Sequence, residues 1–300
     1  MTFDARTKSS APTSGKQNAL FAVATLTVVC GAFFTVLLMP HSASKAPAPL
    51  VSAPADVQSV KAAPMPRLPG ENAEAYYAAL GRIDVKAQAA LQAKIARKGK
   101  ADAGELSELI FEHAGDVLKA HAGELAMADT RHLDKLLDLA RTDLRTASRK
   151  RNKWCDAARY AGLQKIEFQD PAQVKAELAE LEAPMREFGF RALTGLMDAI
   201  EDARVHPVTR GELTRADEAA IQGMVMSIMA DPDMMPVLAS LQSGADAEKT
   251  LKGVNVCDLG ATALTAVKTL PQDTKGRLLA EAMRNMEKNG PAAFRSGVSF

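Results

Sequence analysis

Residues 19–39, ALFAVATLTVVCGAFFTVLLM, are 21 positions without a charge. A helix of that length, rising roughly 1.5 Å per residue, crosses a hydrocarbon core of about 30 Å. A core helix of a water-soluble domain carries a polar face, whereas only threonines interrupt this run. Arg6, Lys8 and Lys16 precede it against Asp4 alone, and beyond it the near flank offers Lys45 and Lys61, diluted by Asp56. The positive-inside rule then places residues 1–18 in the cytoplasm and everything after Pro40 outside. The run is longer than the apolar region of a cleaved signal peptide, although Ser42 and Ser44 offer small residues for cleavage. The expectation is an uncleaved anchor. Cys30 follows Val29 in mid-span, the wrong setting for a lipid-modified cysteine, and reads as a small apolar side chain.

Residues 40–70 hold seven of the chain's 15 prolines among Ala and Ser. Such a stretch neither nucleates a helix nor offers much to bury. It reads as a semi-rigid linker that reaches on the order of 90 Å when extended.

Residues 71–300 read as helices. Ala, Leu, Glu, Lys, Arg and Met dominate, aromatics make up 5%, and β-branched alternation is rare. The expected fold class is all-α: one N-terminal transmembrane helix (19–39), a Pro/Ala linker (40–70) and a multi-helix extracytoplasmic domain (71–300). One helix is expected over 72–98, with a break near Gly81. A second opens at Asp102, with Glu105 completing a capping box. A third opens near Asp129 or Thr130 and carries Leu133, Leu136, Leu137, Ala140 and Leu144 as one stripe. The longest starts at Asp170-Pro171, with Val174, Leu178, Leu181, Met185 and Phe188 in register and a kink at Pro184. Further helices are expected over 214–230, 232–241, 258–270 and 273–288. Each is too short to stand alone, so they must bury their stripes against one another.

Two cysteines, Cys155 and Cys257, follow the anchor. In an oxidising compartment an even pair implies one disulfide. No CxxC suggests a redox couple, and no further ligands are spaced around Cys155 for zinc. The chain's only tryptophan, Trp154, is expected beside the bridge.

The segment RKRNKW ends a helix that begins acidic, with Asp129, Asp134 and Asp138, and finishes basic, with Arg145, Arg149, Lys150 and Arg151. That polarity complements the helix dipole and reads first as a solvated helix end. Anionic phosphates of lipid or envelope polymer are the alternative contact. Nucleic acid is not an expected partner: the compartment is wrong, only Trp154 and Tyr160 offer nearby rings, and the formal net charge is +1.

HAGDVLKAHAGE repeats His-Ala-Gly-acid. It pairs His113 with Asp116 and His121 with Glu124 at i, i+3, a spacing compatible with a metal ion. Gly115 and Gly123 weaken that helix, and a wet helix side explains the same residues. In MVMSIMADPDMM, five methionines fall in twelve positions. Thioethers suit Cu(I), but Ile221, Met224, Val225 and Ile228 recur at helical spacing, so a helix buried on most sides is expected. TGLMDAI, residues 194–200, is similar to a fragment of the GLMQ motif of lytic transglycosylases. That family also carries a catalytic Glu followed by Ser. Here Glu177, Glu180, Glu182 and Glu187 precede the fragment, none is followed by Ser, and Asp198 stands where Gln is expected.

No catalytic triad order, phosphate-binding loop or cofactor fingerprint occurs in the sequence. The favoured reading is a non-enzymatic, single-pass protein of the bacterial inner membrane. Its helical interaction module lies in the periplasm, its first partner is the membrane through residues 19–39, and its second is an envelope protein. The alternatives are an envelope hydrolase of lytic-transglycosylase type and a periplasmic metal-handling protein. The bacterial assignment follows from the absence of any Asn-x-Ser/Thr acceptor after the anchor.

Overall fold

The computed structural model describes residues 68–158, 171–237 and 251–289, with the backbone course alone for 171–185. Of these residues 81% are helical and none lies in a strand, so the described region is all-α. The expected anchor and most of the linker lie outside it. Among the described residues no helix is long and apolar enough to cross a membrane.

Nine helices are described: α1 Glu71–Ile83, α2 Val85–Lys98, α3 Ala103–Ala120, α4 Ala122–Ala126, α5 Thr130–Arg149, α6 Pro171–Val205, α7 Arg215–Met229, α8 Val256–Lys268 and α9 Gln272–Asn289. Local capping chemistry sets most of the boundaries. Asp102 and Glu105 form the expected capping box at α3. Asp129 accepts from the Arg131 N–H at 2.8 Å to open α5. Thr214 and Asp217 make a second capping box at α7. Asn255 accepts from the N–H groups of Cys257 and Asp258, so α8 opens at Val256, ahead of the expected Asp258.

Three sequence expectations change. The break expected near Gly81 is present but falls at Asp84, which adopts extended backbone and caps α2 by accepting from Ala87 N–H at 2.8 Å. Gly81 instead leaves room for the Gln88 amide, which would lie 2.5 Å from a Cβ and donates to the Tyr77 carbonyl. The chain after Asp231 opens with a 3-10 turn, Pro232–Met234, and turns α-helical over 235–237; the rest of the expected 232–241 helix lies outside the described residues. The helix around the methionines is buried on one side only. Ile221, Met224 and Ile228 enter the core, whereas Met226 is 63% exposed, because α7 rests on α8 along a single face. The expected long helix is α6, with Pro184 inside its span; the side chains of Val174, Leu178, Leu181 and Met185 lie outside the described ones.

α6 sits at the centre. Phe190, Leu193, Met197 and Ile200 join one core with Tyr76, Leu80, Leu91, Ile95, Ile110, Leu125 and the α9 methionines Met283 and Met286. Phe188 and Ala192 join a second core with Leu137, Leu144, Trp154, the two cysteines, Ile221, Met224 and Leu264. A helix sandwiched between two cores is apolar around most of its girth. Phe111 and Leu136 pack against both cores, and Phe111 stacks on Phe190 with ring centroids 4.7 Å apart.

The end of α5 is unusual. Arg151 N–H donates to Ser148 O and Asn152 N–H to Ala147 O, the paired bonds that close a helix around a left-handed residue. That residue is Arg151, at φ 51°, where glycine is the ordinary occupant. The side chain costs about 1 kcal/mol in that conformation.

Candidate functional site

Three sets of polar residues converge in the described fold: a disulfide corner, an ion-pair cluster at the C-terminal end of α6, and a buried carboxylate between α7 and α9.

At the corner, Cys155 and Cys257 are bonded, 102 residues apart in sequence, with Cα atoms separated by 5.1 Å. Both are buried. The bond joins the 3-10 turn Lys153–Cys155 to the first turn of α8. Ala157 N–H donates to Val254 O, and the Asn255 amide donates to Ser148 Oγ, so the same corner is also held by backbone and side-chain bonds. Trp154 lies in the core that contains the bridge. The corner's surface carries Arg145, Arg149, Lys150 and Arg151, all exposed.

The four metal candidates do not form one group. His113 is buried, and its Nε2 lies 2.9 Å from the Ala87 carbonyl, so neutral His113 donates there. Burial holds its pKa below the ordinary histidine value. Asp116 is exposed and faces Lys94 at 3.8 Å. His121 and Glu124 do meet, at 3.2 Å, but within a different set. His121 Nε2 faces Asp84 at 3.2 Å, and the Arg204 guanidinium reaches His121 Nδ1, Glu124 and the Ile83 carbonyl. His121 thus meets its two carboxylates through opposite ring nitrogens, and a guanidinium already lies beside them. A single cation cannot collect all three groups in that arrangement. Among the described residues no three His, Cys, Asp or Glu side chains are arranged to hold a metal ion. The expectation of a wet helix side also changes, since His113 and His121 are both largely covered.

Two residues before Arg204 on α6, Asp202 accepts from Arg131 and faces His132 at 3.0 Å and His206 at 3.3 Å. Burial pushes its carboxyl up, but the imidazole hydrogen bonds and the Arg131 charge outweigh this and hold it below the usual range. For Asp84 the Ala87 N–H leads and His121 adds to it, with the same result. Together these contacts tie the α1–α2 junction, α4 and α5 to the end of α6.

Asp217 is 2% exposed and takes five hydrogen bonds: two from the Arg277 guanidinium at 2.7 and 2.9 Å, one from Thr274 Oγ1 at 2.6 Å, and the Thr214 backbone and hydroxyl bonds of the cap. The Arg277 bonds are the main reason its pKa lies far below the ordinary carboxylate value. All the lone pairs face partners within the fold, so this carboxylate is a clamp between α7 and α9. A parallel tie joins Asp134 on α5 to Lys275 and Gln272 on α9.

The TGLMD fragment is structural in this fold. Gly195 lets Leu136 approach to 3.0 Å of where a Cβ would stand, Leu196 and Met197 are core, and Asp198 pairs with Arg82 at 2.6 Å on the surface. Of the residues that organise these sets, sequence reasoning missed Asp84, Asp202, Arg204, His132 and Arg277. Asp217 alone left a local sign, as the acidic third residue of a Thr-capped helix.

No protein-family model, curated protein or solved structure matches the chain.

Proposed function

We propose that the chain is a single-pass protein of the bacterial inner membrane, N-terminus in the cytoplasm, whose helical domain serves in the periplasm as an interaction scaffold on a Pro/Ala stalk. The observation that carries the reading is the Cys155–Cys257 bond. A buried structural disulfide belongs to an oxidising compartment, and the charge asymmetry around residues 19–39 independently assigns that side to the domain. The use of the titratable groups adds support. Asp84, His121, Glu124, Asp202, Asp217 and Asp134 each bind a partner on another helix, which suits a framework that holds its surface in one shape.

A reporter enzyme active only outside the cytoplasm, fused after Phe300, is expected to be active, and one fused before Ala19 silent. The reversed pattern overturns the topology and the compartment argument together.

The stalk is expected to act through reach rather than sequence. Replacing residues 44–66 by a scrambled Pro/Ala/Ser segment of equal length preserves a cellular phenotype that deletion of the gene reveals, whereas removing the segment does not. Loss of the phenotype on scrambling identifies the segment as a binding motif in its own right.

A further inference from the structure

We propose that the cationic corner made by Arg145, Arg149, Lys150, Arg151 and Lys252 docks on the anionic phospholipid headgroups of the bilayer that holds the chain's own apolar span. The inference rests on the membrane-anchor reading above.

All five side chains are exposed. Among the described residues none of them lies within ion-pair distance of a carboxylate; the Arg149 guanidinium donates only to the Arg145 carbonyl. Four of the five come from one stretch of chain. Lys252 is brought from a remote one, because it sits in the 251–254 turn whose Val254 carbonyl accepts from Ala157 N–H beside the disulfide. Among the described residues the exposed carboxylates Asp156 and Asp258 flank the corner and leave the cations in surplus.

Two features distinguish this corner from an ordinary solvated helix end. Its backbone is fastened by the disulfide, the Ala157–Val254 bond and the Asn255–Ser148 bond, so the cations are presented from a fixed frame. Arg151 also occupies the left-handed position where glycine fits without strain. A helix end selected only to stop the helix has no use for arginine there, whereas a charged surface does.

The partner follows from the tether. A stalk of residues 40–67 keeps the domain within on the order of 90 Å of the bilayer. Docking is then intramolecular, and weak contacts suffice at the resulting effective concentration. Each Lys or Arg close to an anionic lipid surface raises binding about five-fold, an attraction that fades beyond a Debye length of roughly 8 Å at physiological salt. Removing four cations therefore lowers the docked-to-free ratio on the order of several hundred-fold.

The test uses the full chain reconstituted in vesicles of phosphatidylcholine, with or without phosphatidylglycerol. A fluorescent amino acid is introduced at exposed Thr142, and an energy acceptor is attached to a trace of the headgroups. Transfer is expected to be higher with phosphatidylglycerol and to fall in high salt. It should drop to the phosphatidylcholine level in the variant R145Q/R149Q/K150Q/R151G. R151G alone is expected to raise the melting temperature while lowering the docked-to-free ratio about five-fold; a purely structural Arg151 gives the first effect without the second. Equal transfer on both lipids, or transfer insensitive to the variants, overturns the proposal, and is the result expected if an acidic protein covers the corner instead. An alkaline wash of the same vesicles reports on the anchor separately. A chain retained by the bilayer but with equal transfer fails the docking inference alone, and a chain washed off fails both readings.

Discussion

Replacing either Cys155 or Cys257 by serine is expected to lower the unfolding free energy by about 2 to 5 kcal/mol. The bond closes a loop of 102 residues in sequence, and in the chain-entropy model a loop of that size loses up to about 4.7 kcal/mol of denatured-state freedom. The native side adds to this. Cys257 is fully buried and Cys155 nearly so, and a serine hydroxyl placed there lacks the apolar fit of a sulfur. The double replacement should resemble either single one, since each single already opens the bond. The single variants alone retain a free thiol able to form covalent dimers. Denaturant unfolding of the four proteins without reductant measures the differences, and mass spectrometry of a non-reduced digest observes the bridged peptide directly. Free thiols at both positions in protein taken from oxidising conditions would falsify the bond and remove the main support for the periplasmic placement.

Asp217→Asn is expected to destabilise the fold by about 3 kcal/mol at neutral pH, the scale for breaking a buried ion pair from one side. Asparagine has nearly the same shape but offers neither the charge nor the second oxygen that the Arg277 fork requires. The Thr274 hydroxyl bond to Asp217 is disturbed as well. The pH dependence follows from the depressed carboxyl. A carboxylate whose folded pKa lies below its unfolded value contributes stability that is present above the unfolded value, about 3.9, and is lost as pH falls through the folded one. The gap between wild type and D217N should therefore be full at pH 6 and narrow progressively below about pH 4. Arg277→Met works in the same direction, because it leaves the buried carboxylate with hydroxyl and backbone partners alone. Chemical denaturation of the three proteins between acid and neutral pH measures this, and a gap unchanged across that range excludes the charge pair as the source of the effect.

The sequence by itself determined what depends on neighbours a few residues apart. The Asp102–Glu105 box, the helix start at Asp129 and the Leu137–Ala140–Leu144 stripe all involve residues within one or two turns, and all are present in the described fold. The pairing of Cys155 with Cys257 was legible for a different reason: after residue 39 there were only two cysteines to pair. The break in the first helix was legible, but its place was set at Gly81 because glycine is a familiar breaker, while Asp84 shows itself as a cap only when its backbone turns extended. Tertiary structure alone decided which charges meet. Arg277 is 60 positions from Asp217, Asp202 is 70 from His132, and Asp84 is 37 from His121. Spacing along a helix says which residues share a side, but the neighbour facing that side is set by how whole helices dock. This is why the two His-acid pairs of HAGDVLKAHAGE looked alike, whereas the fold sends His113 into a core, Asp116 to solvent, and His121 with Glu124 to the end of α6. The same limit applied to the methionine segment, whose apolar spacing is read locally; α8 covers only one face of α7, and that contact leaves Met226 outside.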